Sequence, residues 1–190
     1  IGVELEEYEE SHITVSAGSL FVDCTESVLG ENASYREQML PSLDVWAARI
    51  GREFMDLLGF HGLAVGDVNG DELDDLYVCD DGGLPNRLYI QQPDGSALDV
   101  SGESGVDLLD PCIAALLVDL DNDGDQDLVV AADSVVQFAR NDGQGRFTLA
   151  SRFNTSADYC YSLCAADYDN DHDLDIYICG YSSRRHDSRI

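Results

Sequence analysis

Three aspartate-rich loops recur along this chain, and each is followed at once by a short apolar stretch. The loops begin at Asp67, Asp119 and Asp167 and read DVNGDELDDLYV, DLDNDGDQDLVV and DYDNDHDLDIYI. Carboxylates about 4 Å apart repel each other by roughly 1 kcal/mol per pair even in water, and by more near a protein surface. A loop of this composition must therefore be disordered, protonated or neutralised by a cation.

The spacing of the loops predicts a repeating β-structure. Each repeat is about 50 residues long, which is the length of a propeller blade with four short strands. Short apolar runs flank each loop and are predicted strands, as CIAALLV (112–118) before and DLVVAA (127–132) after the second loop, and turns rich in Gly, Asn and Asp follow them. Cysteines occupy equivalent places: Cys79 and Cys179 lie twelve residues after the first Asp of their loops, and Cys112 and Cys160 lie seven before theirs. Each repeat is predicted to be strand, acidic loop, strand, strand, turn, strand.

The predicted fold class is mainly β: a β-propeller segment of about two and a half blades with an N-terminal helical insertion. Repeats are expected over residues 59–190, with blades at about 60–108, 109–157 and 158–190. The third repeat is cut short, and a propeller closes with about four to eight blades. We therefore expect the remaining blades of a longer chain as partners, and exposed strand edges that favour association.

Residues 1–58 have a different pattern. The stretch SLFVDCTESVL is predicted to be a strand, and SYREQML has the Ser34-to-Glu37 spacing of a capping box and stops at a proline. Apolar residues then recur at helical spacing. This pattern predicts an amphipathic helix over residues 43–58 that packs on the propeller, with Trp46 as an anchor in the core.

Composition excludes several classes of partner. The chain has 38 Asp and Glu against 10 Lys and Arg, a formal charge of −28. Binding to nucleic acid or to an anionic membrane surface is not expected, because both depend on clustered Lys and Arg. No apolar run reaches about 18 residues, so no membrane insertion is expected. The six cysteines form no C-x-x-C pair, which disfavours a zinc site and leaves free thiols and disulfides both open.

The loops have the donor pattern of calcium sites. Oxygen-bearing side chains occupy positions one, three, five and nine, and position seven can add its backbone carbonyl. Calcium takes six to eight oxygen ligands in irregular geometry, whereas magnesium keeps its waters and soft metals select Cys or His. We expect up to three Ca²⁺ ions. The predicted ligands are Asp67, Asn69, Asp71, Leu73 and Asp75 in loop 1, Asp119, Asp121, Asp123, Asp125 and Asp127 in loop 2, and Asp167, Asp169, Asp171, Asp173 and Asp175 in loop 3.

Two other interpretations of the loops fail. An EF-hand needs a Glu at position twelve and flanking helices, but Val78, Val130 and Ile178 stand there within predicted strands. A catalytic base at His172 is disfavoured, because this residue lies in a predicted turn that faces solvent. The chain also lacks the sequence motifs of a Ser-His-Asp triad, a phosphate loop or an H-E-x-x-H zinc protease.

With these loops and the NRLY stretch that follows the first of them, the chain resembles the FG-GAP/VCBS-type repeats of integrin α-subunit propellers. It resembles more closely the bacterial secreted propellers related to cartilage acidic protein, the ASPIC/UnbV group. The resemblance covers about residues 60–190 and implies a β-propeller, calcium in the hairpin loops, and a secreted, periplasmic or cell-surface location. The family usually has Gly at position six. Only Gly124 keeps it, while Glu72 and His172 replace it.

The expected function is a binding or scaffold module. Calcium would hold the loops rigid, and a propeller face would recognise a protein or carbohydrate ligand. The alternative is part of a propeller enzyme that acts on polysaccharides, a lyase or hydrolase whose catalytic residues lie partly outside this stretch. No catalytic residue is nominated within it.

Overall fold

A computed structural model describes residues 21–51, 61–80 and 82–181 of the chain. The described residues are mainly β and form three antiparallel sheets. The strands are β1 (Leu63–Gly66), β2 (Asp75–Val78), β3 (Arg87–Gln91), β4 (Ala97–Asp99), β5 (Cys112–Val118), β6 (Asp127–Ala132), β7 (Val135–Asn141), β8 (Phe147–Asn154), β9 (Tyr159–Ala166) and β10 (Asp175–Tyr181). The helices are α1 (Thr25–Leu29), α2 (Leu43–Ile50) and α3 (Ser101–Ser104), with a π-helical turn at Tyr35–Met39.

The sheets have the predicted order of strands. Sheet 1 consists of β1 to β4 and sheet 2 of β5 to β8, each in sequence order, and sheet 3 pairs β9 with β10. Each acidic loop joins the first two strands of its sheet, as the repeat pattern predicts. The predicted boundaries of β5 and β6 are matched residue for residue, because apolar runs end there at charged or turn residues.

The three sheets stack face to face through alternate residues of their strands. Leu128 and Val130 of β6 face sheet 1 and pack with Tyr77. Val129, between them in sequence, faces sheet 3 and packs with Leu163. Successive strand residues point to opposite faces of a sheet, so one strand with both faces apolar joins two cores. All six residues of β6 are buried for this reason.

The N-terminal helical segment packs on the other face of sheet 1. Leu29 and Tyr35 form a third core cluster with Tyr89 of β3. The buried Asn32 fastens this segment to β4, since its amide donates to the Ala97 carbonyl at 2.7 Å and its oxygen accepts the Asp99 amide at 2.8 Å. The segment therefore covers the face of sheet 1 that lies away from sheet 2.

Two predictions for this segment are wrong. Residues 25–29 of the stretch predicted as a strand are helical, and residues 21–24 are in no strand; the start of that stretch lies outside the described residues. The capping box does not form, because the Ser34 hydroxyl is hydrogen-bonded at 3.0 Å to the hydroxyl of Tyr89. Ser34 thus joins the segment to sheet 1 instead of closing a local helix end.

The predicted helix over 43–58 is present in its first half. It is described to Ile50 and is followed by Gly51, whose φ is +95°; residues 52–58 lie outside the described residues. Trp46 is partly buried rather than a full core residue. Its indole N–H donates to the Gln38 carbonyl at 2.9 Å, and the Arg49 guanidinium lies 5.2 Å from its ring centroid.

All six cysteines are free thiols in this structure. Three are buried between sheets, and burial raises the pKa of Cys112 to about 12 and that of Cys79 above its usual range. Thiols in this state are unreactive, since the nucleophile is the thiolate. None of the described helices is long and apolar enough to cross a membrane.

We expect Leu88→Ala to lower the free energy of unfolding by about 2–5 kcal/mol, because it removes buried methyl groups and leaves a cavity. Leu88 is 0% exposed in the core between sheets 1 and 2. Leu98→Ala on the neighbouring strand is the control, since Leu98 is 55% exposed; its effect should stay within about 0.5 kcal/mol. Urea denaturation of the two variants makes the measurement, and similar losses would contradict the described stacking.

Candidate metal centres in the acidic loops

The first aspartate of each acidic loop holds the loop closed from inside. In loop 2 (residues 119–127), the Asp119 carboxylate accepts the backbone N–H of Asp123 at 3.2 Å and of Gly124 at 3.0 Å. The same two bonds recur in loop 1 (residues 67–75), where the Asp67 carboxylate accepts the backbone N–H of Asp71 at 3.2 Å and of Glu72 at 2.8 Å. They recur again in loop 3 (residues 167–175), where the Asp167 carboxylate accepts the backbone N–H of Asp171 and of His172, both at 3.1 Å. Position one therefore folds the chain back at positions five and six.

Position five makes a second turn of the same kind. The Asp123 carboxylate accepts the N–H of Asp125 at 3.0 Å. Asp71 does so for Leu73 at 2.9 Å, and Asp171 for Asp173 at 3.0 Å. Short polar side chains that accept an N–H two residues further on are characteristic of tight loops. The three loops thus share one conformation although only positions one, five and nine have the same residue in all three.

Position nine ties the loop to its sheet. Asp75 is fully buried, and its carboxylate accepts the N–H of Val68 at 3.0 Å and of Gln91 on β3 at 2.9 Å. Asp127 is buried in the same way and accepts the N–H groups of Leu120 at 3.2 Å and Asn141 at 2.8 Å. Each aspartate joins the start of its loop to the third strand of its sheet.

In sheet 3 the same aspartate keeps one of these bonds. Asp175 accepts the N–H of Tyr168 at 2.9 Å. It is exposed, unlike its two counterparts in sheets 1 and 2. The bond between positions two and nine is thus common to all three loops.

Positions four and six adopt left-handed backbone conformations in every loop. At position six the φ angles are +68° for Glu72, +95° for Gly124 and +75° for His172. The family preference for Gly at this position therefore has a steric reason, and Glu72 and His172 adopt the conformation at a cost. His172 is exposed in this turn, as the sequence predicted. Position four was not singled out from the sequence, although its Gly70, Asn122 and Asn170 are residue types that tolerate positive φ.

Two loops bring three carboxylates together. Oxygens of Asp119, Asp121 and Asp123 lie within 4.8 Å of one another in loop 2. In loop 3 the converging oxygens belong to Asp167, Asp169 and Asp175. These triads contain six of the predicted ligands and share positions one and three of the loop.

The other predicted ligands lie in the same loops but outside the triads. In loop 2 the buried Asp127 is occupied by its two backbone partners. The Asp125 carboxylate lies against the α-carbon of Gly143 in the β7–β8 turn.

Loop 1 differs chemically from the other two. Its position three is Asn69, whose amide donates to Asp71 at 3.1 Å while its oxygen accepts the Asp71 backbone N–H at 3.1 Å. This neutral donor relieves part of the repulsion that a third carboxylate would add. Loop 1 thus satisfies some of its charge internally, whereas loop 2 and loop 3 carry aspartate at the same position.

The pKa shifts differ in direction between the aspartate at position one of loop 1 and two aspartates of loop 2. The pKa of Asp67 is lowered, because four backbone N–H bonds outweigh the cost of its desolvation. In loop 2, desolvation and the neighbouring Asp123 charge raise the pKa of both Asp121 and Asp125. The Arg140 guanidinium, 3.2 Å from the Asp121 carboxylate, offsets part of this repulsion. A cation among the converging oxygens would remove the remainder.

Neighbouring loops also contact each other through two asparagines, Asn122 and Asn141, that were not predicted from the sequence to have this role. The Asn122 amide of loop 2 donates to the His172 carbonyl at 3.2 Å and to the Asp173 carboxylate at 3.0 Å in loop 3. Asn141 of β7 donates to the Val68 carbonyl of loop 1 at 2.7 Å. The acidic loops therefore lie side by side at one end of the stacked sheets.

Comparison with known proteins identifies the repeat. Residues 119–178, which include loop 2 and loop 3, match the family described as FG-GAP-like repeat. The chain thus contains an FG-GAP-like repeat, as its resemblance implied. It is also 27% identical over 156 residues to cartilage acidic protein 1 of Xenopus tropicalis, a match that covers 79% of this chain and 24% of the relative. The chain therefore spans about a quarter of the length of that curated relative.

Replacing the buried carboxylate at position nine should be costly even when the shape is kept. In Asp75→Asn, the side-chain NH₂ group replaces one carboxylate oxygen, so one of the two backbone N–H groups that bond to Asp75 loses its acceptor. The free energy of unfolding should therefore fall by about 1–3 kcal/mol. Asp74→Asn is the matched control, because Asp74 is exposed. Chemical denaturation in chelator compares the two, and equal stability would show that Asp75 does not hold loop 1 to β3.

Restoring glycine at position six should stabilise loop 1. A non-glycine residue in the left-handed region costs roughly 1–2 kcal/mol. Glycine avoids this strain, but about 0.5–1 kcal/mol of the gain is lost because glycine loses more conformational entropy on folding. We expect Glu72→Gly to raise the free energy of unfolding by about 0.5–1 kcal/mol. Glu72→Ala removes the same charge but keeps the Cβ atom, and it should give no comparable gain. If both variants gain equally in urea denaturation, charge rather than backbone strain is the cause.

Proposed function

We propose that this chain is a calcium-binding repeat module that recognises a protein or carbohydrate ligand outside the cytoplasm. The observation that carries the proposal is the convergence of three carboxylates in loop 2 and again in loop 3. In both loops the carboxylate at position one accepts the backbone N–H of position five. A pattern that is repeated in position, conformation and charge indicates a shared ligand better than acidity alone does.

The donor set fits calcium best among common ions. All converging atoms are carboxylate oxygens, which hard divalent cations prefer, and the described triads contain no Cys or His for a softer metal. Asp119, Asp121 and Asp123 would hold the ion in loop 2, and Asp167, Asp169 and Asp175 would hold it in loop 3. Backbone carbonyls at position seven and water would complete the six to eight oxygens that calcium takes. Loop 1 has Asn69 instead of an aspartate at position three and would bind more weakly.

Bound calcium would serve mainly to fix the shape of the loops. It neutralises like charges that otherwise repel across each hairpin, and an ion that binds only the folded state stabilises it by about 2.7 kcal/mol at a hundred times its Kd. Because Asn122 joins loop 2 to loop 3, order in one loop supports order in the next. The result is a rigid scaffold of stacked sheets on which a ligand can be recognised.

Location and partners follow from the same proposal. Calcium sites of moderate affinity are filled where calcium is abundant, as it is outside cells, so we propose a secreted, periplasmic or cell-surface protein. The relative is an acidic protein of cartilage by its name, and this chain, with a net charge of −28, is also strongly acidic. We propose that further repeats of a longer chain complete the module.

The melting temperature of the protein should rise as the calcium concentration is raised from micromolar to millimolar. Two variants of loop 2 should also distinguish a coordination site from a diffuse acidic patch. Asp123→Ala removes a converging carboxylate, so calcium affinity at loop 2 should fall by more than roughly tenfold. Asp125→Ala removes a charge of the same sign two residues away, but its carboxylate lies against Gly143. Affinity should then change by less than roughly threefold.

Calorimetric titration of the chelator-treated protein makes this comparison. Loop 3 is unchanged in both variants and serves as an internal reference for folding and for calcium activity. A melting curve that does not respond to calcium would refute the proposal. Equal losses in the Asp123 and Asp125 variants would show that the aspartates form a diffuse patch.

A further inference from the structure

A cavity of about 570 Å³ opens at the end of the sheets that lies away from the acidic loops. β6 begins in loop 2 and ends at the turn formed by Asp133 and Ser134, so this turn is at the opposite end of sheet 2. The cavity lies between that turn and residues 155–159, which form the connection from β8 to β9 and the first residue of β9. It is therefore separate from the candidate metal centres.

The cavity exists because one connection is short. In sheet 1 the chain that connects β2 to β3 is longer than the connection from β6 to β7 in sheet 2. It closes the space next to sheet 2, because the backbone N–H of Gly83 donates to the Leu109 carbonyl and that of Asn86 to the Leu108 carbonyl, both at 2.9 Å. In sheet 2 the corresponding connection consists of Asp133 and Ser134 alone.

The two places are equivalent in the fold. The backbone bond from Cys112 to Asp80 at 3.2 Å next to the longer loop recurs as the bond from Cys160 to Asp133 at 2.8 Å. The sheets therefore stack in the same way at both junctions. Within residues 21–51, 61–80 and 82–181, the shorter turn leaves open, between sheets 2 and 3, the space that the longer loop occupies between sheets 1 and 2.

The lining of the cavity combines hydroxyls, carboxylates and an aromatic ring. Its residues are Asp133, Ser134, Thr155, Ser156, Ala157, Asp158 and Tyr159. Tyr159 is 47% exposed and its ring lies 6.4 Å from that of Tyr161, tilted by 38°. Thr155 is held in place because its hydroxyl donates to the Ser134 carbonyl at 3.1 Å. An aromatic face beside fixed polar groups suits a ligand with one apolar and one hydroxylated side.

Asp133 is in an environment that favours a hydrogen-bonding ligand. It has a left-handed backbone conformation with φ of +48°. Partial desolvation, and then the charge of Asp110, raise the pKa of its carboxyl. Asp133 is exposed in this turn, so its carboxylate is open to hydroxyl donors of a ligand, and hydrogen bonds to a charged acceptor are the stronger kind.

We propose that this cavity binds one sugar unit of a neutral carbohydrate, with Tyr159 against the ring face and Asp133 accepting hydroxyl hydrogen bonds. The volume lies within the range of about 300–1,000 Å³ that is usual for small-molecule sites. The two carboxylates in the lining, Asp133 and Asp158, disfavour an acidic sugar. This inference rests on the recognition role proposed above and narrows it to one ligand class, but it does not require calcium in the loops.

Saturation-transfer NMR with methyl glycosides of glucose, galactose, mannose and N-acetylglucosamine at millimolar concentration tests the site. At least one glycoside should receive saturation, with an affinity that falls by roughly tenfold or more in Tyr159→Ala and in Asp133→Asn. Asn tolerates positive φ, so the second change keeps the turn and removes the charge. Tyr177→Ala is the matched control, because Tyr177 is 71% exposed on β10 but does not line the cavity.

The inference is overturned if none of the four glycosides receives saturation from the protein. It is also overturned if Tyr159→Ala and Asp133→Asn both bind the glycoside as well as the unaltered protein does. Transfer that Tyr177→Ala abolishes overturns it as well, since binding would then be at another face. A calcium titration of the same samples tells the two proposals apart. A calcium response without glycoside binding removes only the sugar site, whereas glycoside binding without a calcium response removes the calcium role and leaves this site in place.

Discussion

The hydrogen bonds of the aspartate at position nine are the interaction on which the rest of the structure depends. In sheets 1 and 2 this buried carboxylate receives one N–H from the start of its loop and one from the third strand. Without those donors, a buried charge would be too costly to keep. With them, the loop, the second strand and the third strand form one unit, and the positions of the remaining loop carboxylates follow.

That unit separates the two kinds of chemistry in the molecule. Charge is concentrated at the end of the sheets where the loops lie, while the strands that leave the loops are apolar on both faces and build the cores between sheets. The opposite end carries short turns, hydroxyls and an aromatic pair. Rigid stacked sheets hold both ends in fixed positions, an arrangement typical of binding modules whose contacts lie in loops.

The repeats could be predicted from the sequence because, in each of them, the local residue pattern agrees with the structure that forms. Apolar runs of strand length, polar turns and a nine-residue loop recur in register, so β5 and β6 could be delimited to the residue. The N-terminal part was not readable in this way. Ser34 has the spacing of a helix cap, yet it bonds to Tyr89, 55 residues away in sequence. Such a partner leaves no trace in local pattern, because tertiary contacts override weak local preferences.

The sequence by itself determined the mainly β class, the repeat length, the positions of the acidic loops and their oxygen-rich donor pattern, since all of these depend on residues close together in the chain. Tertiary structure alone decided which carboxylates converge, with Asp127 occupied by backbone partners and Asp175 part of a triad. It also decided that a short turn at Asp133 leaves a cavity between sheets. Both depend on how strands distant in sequence pack, and that is fixed only when the sheets stack.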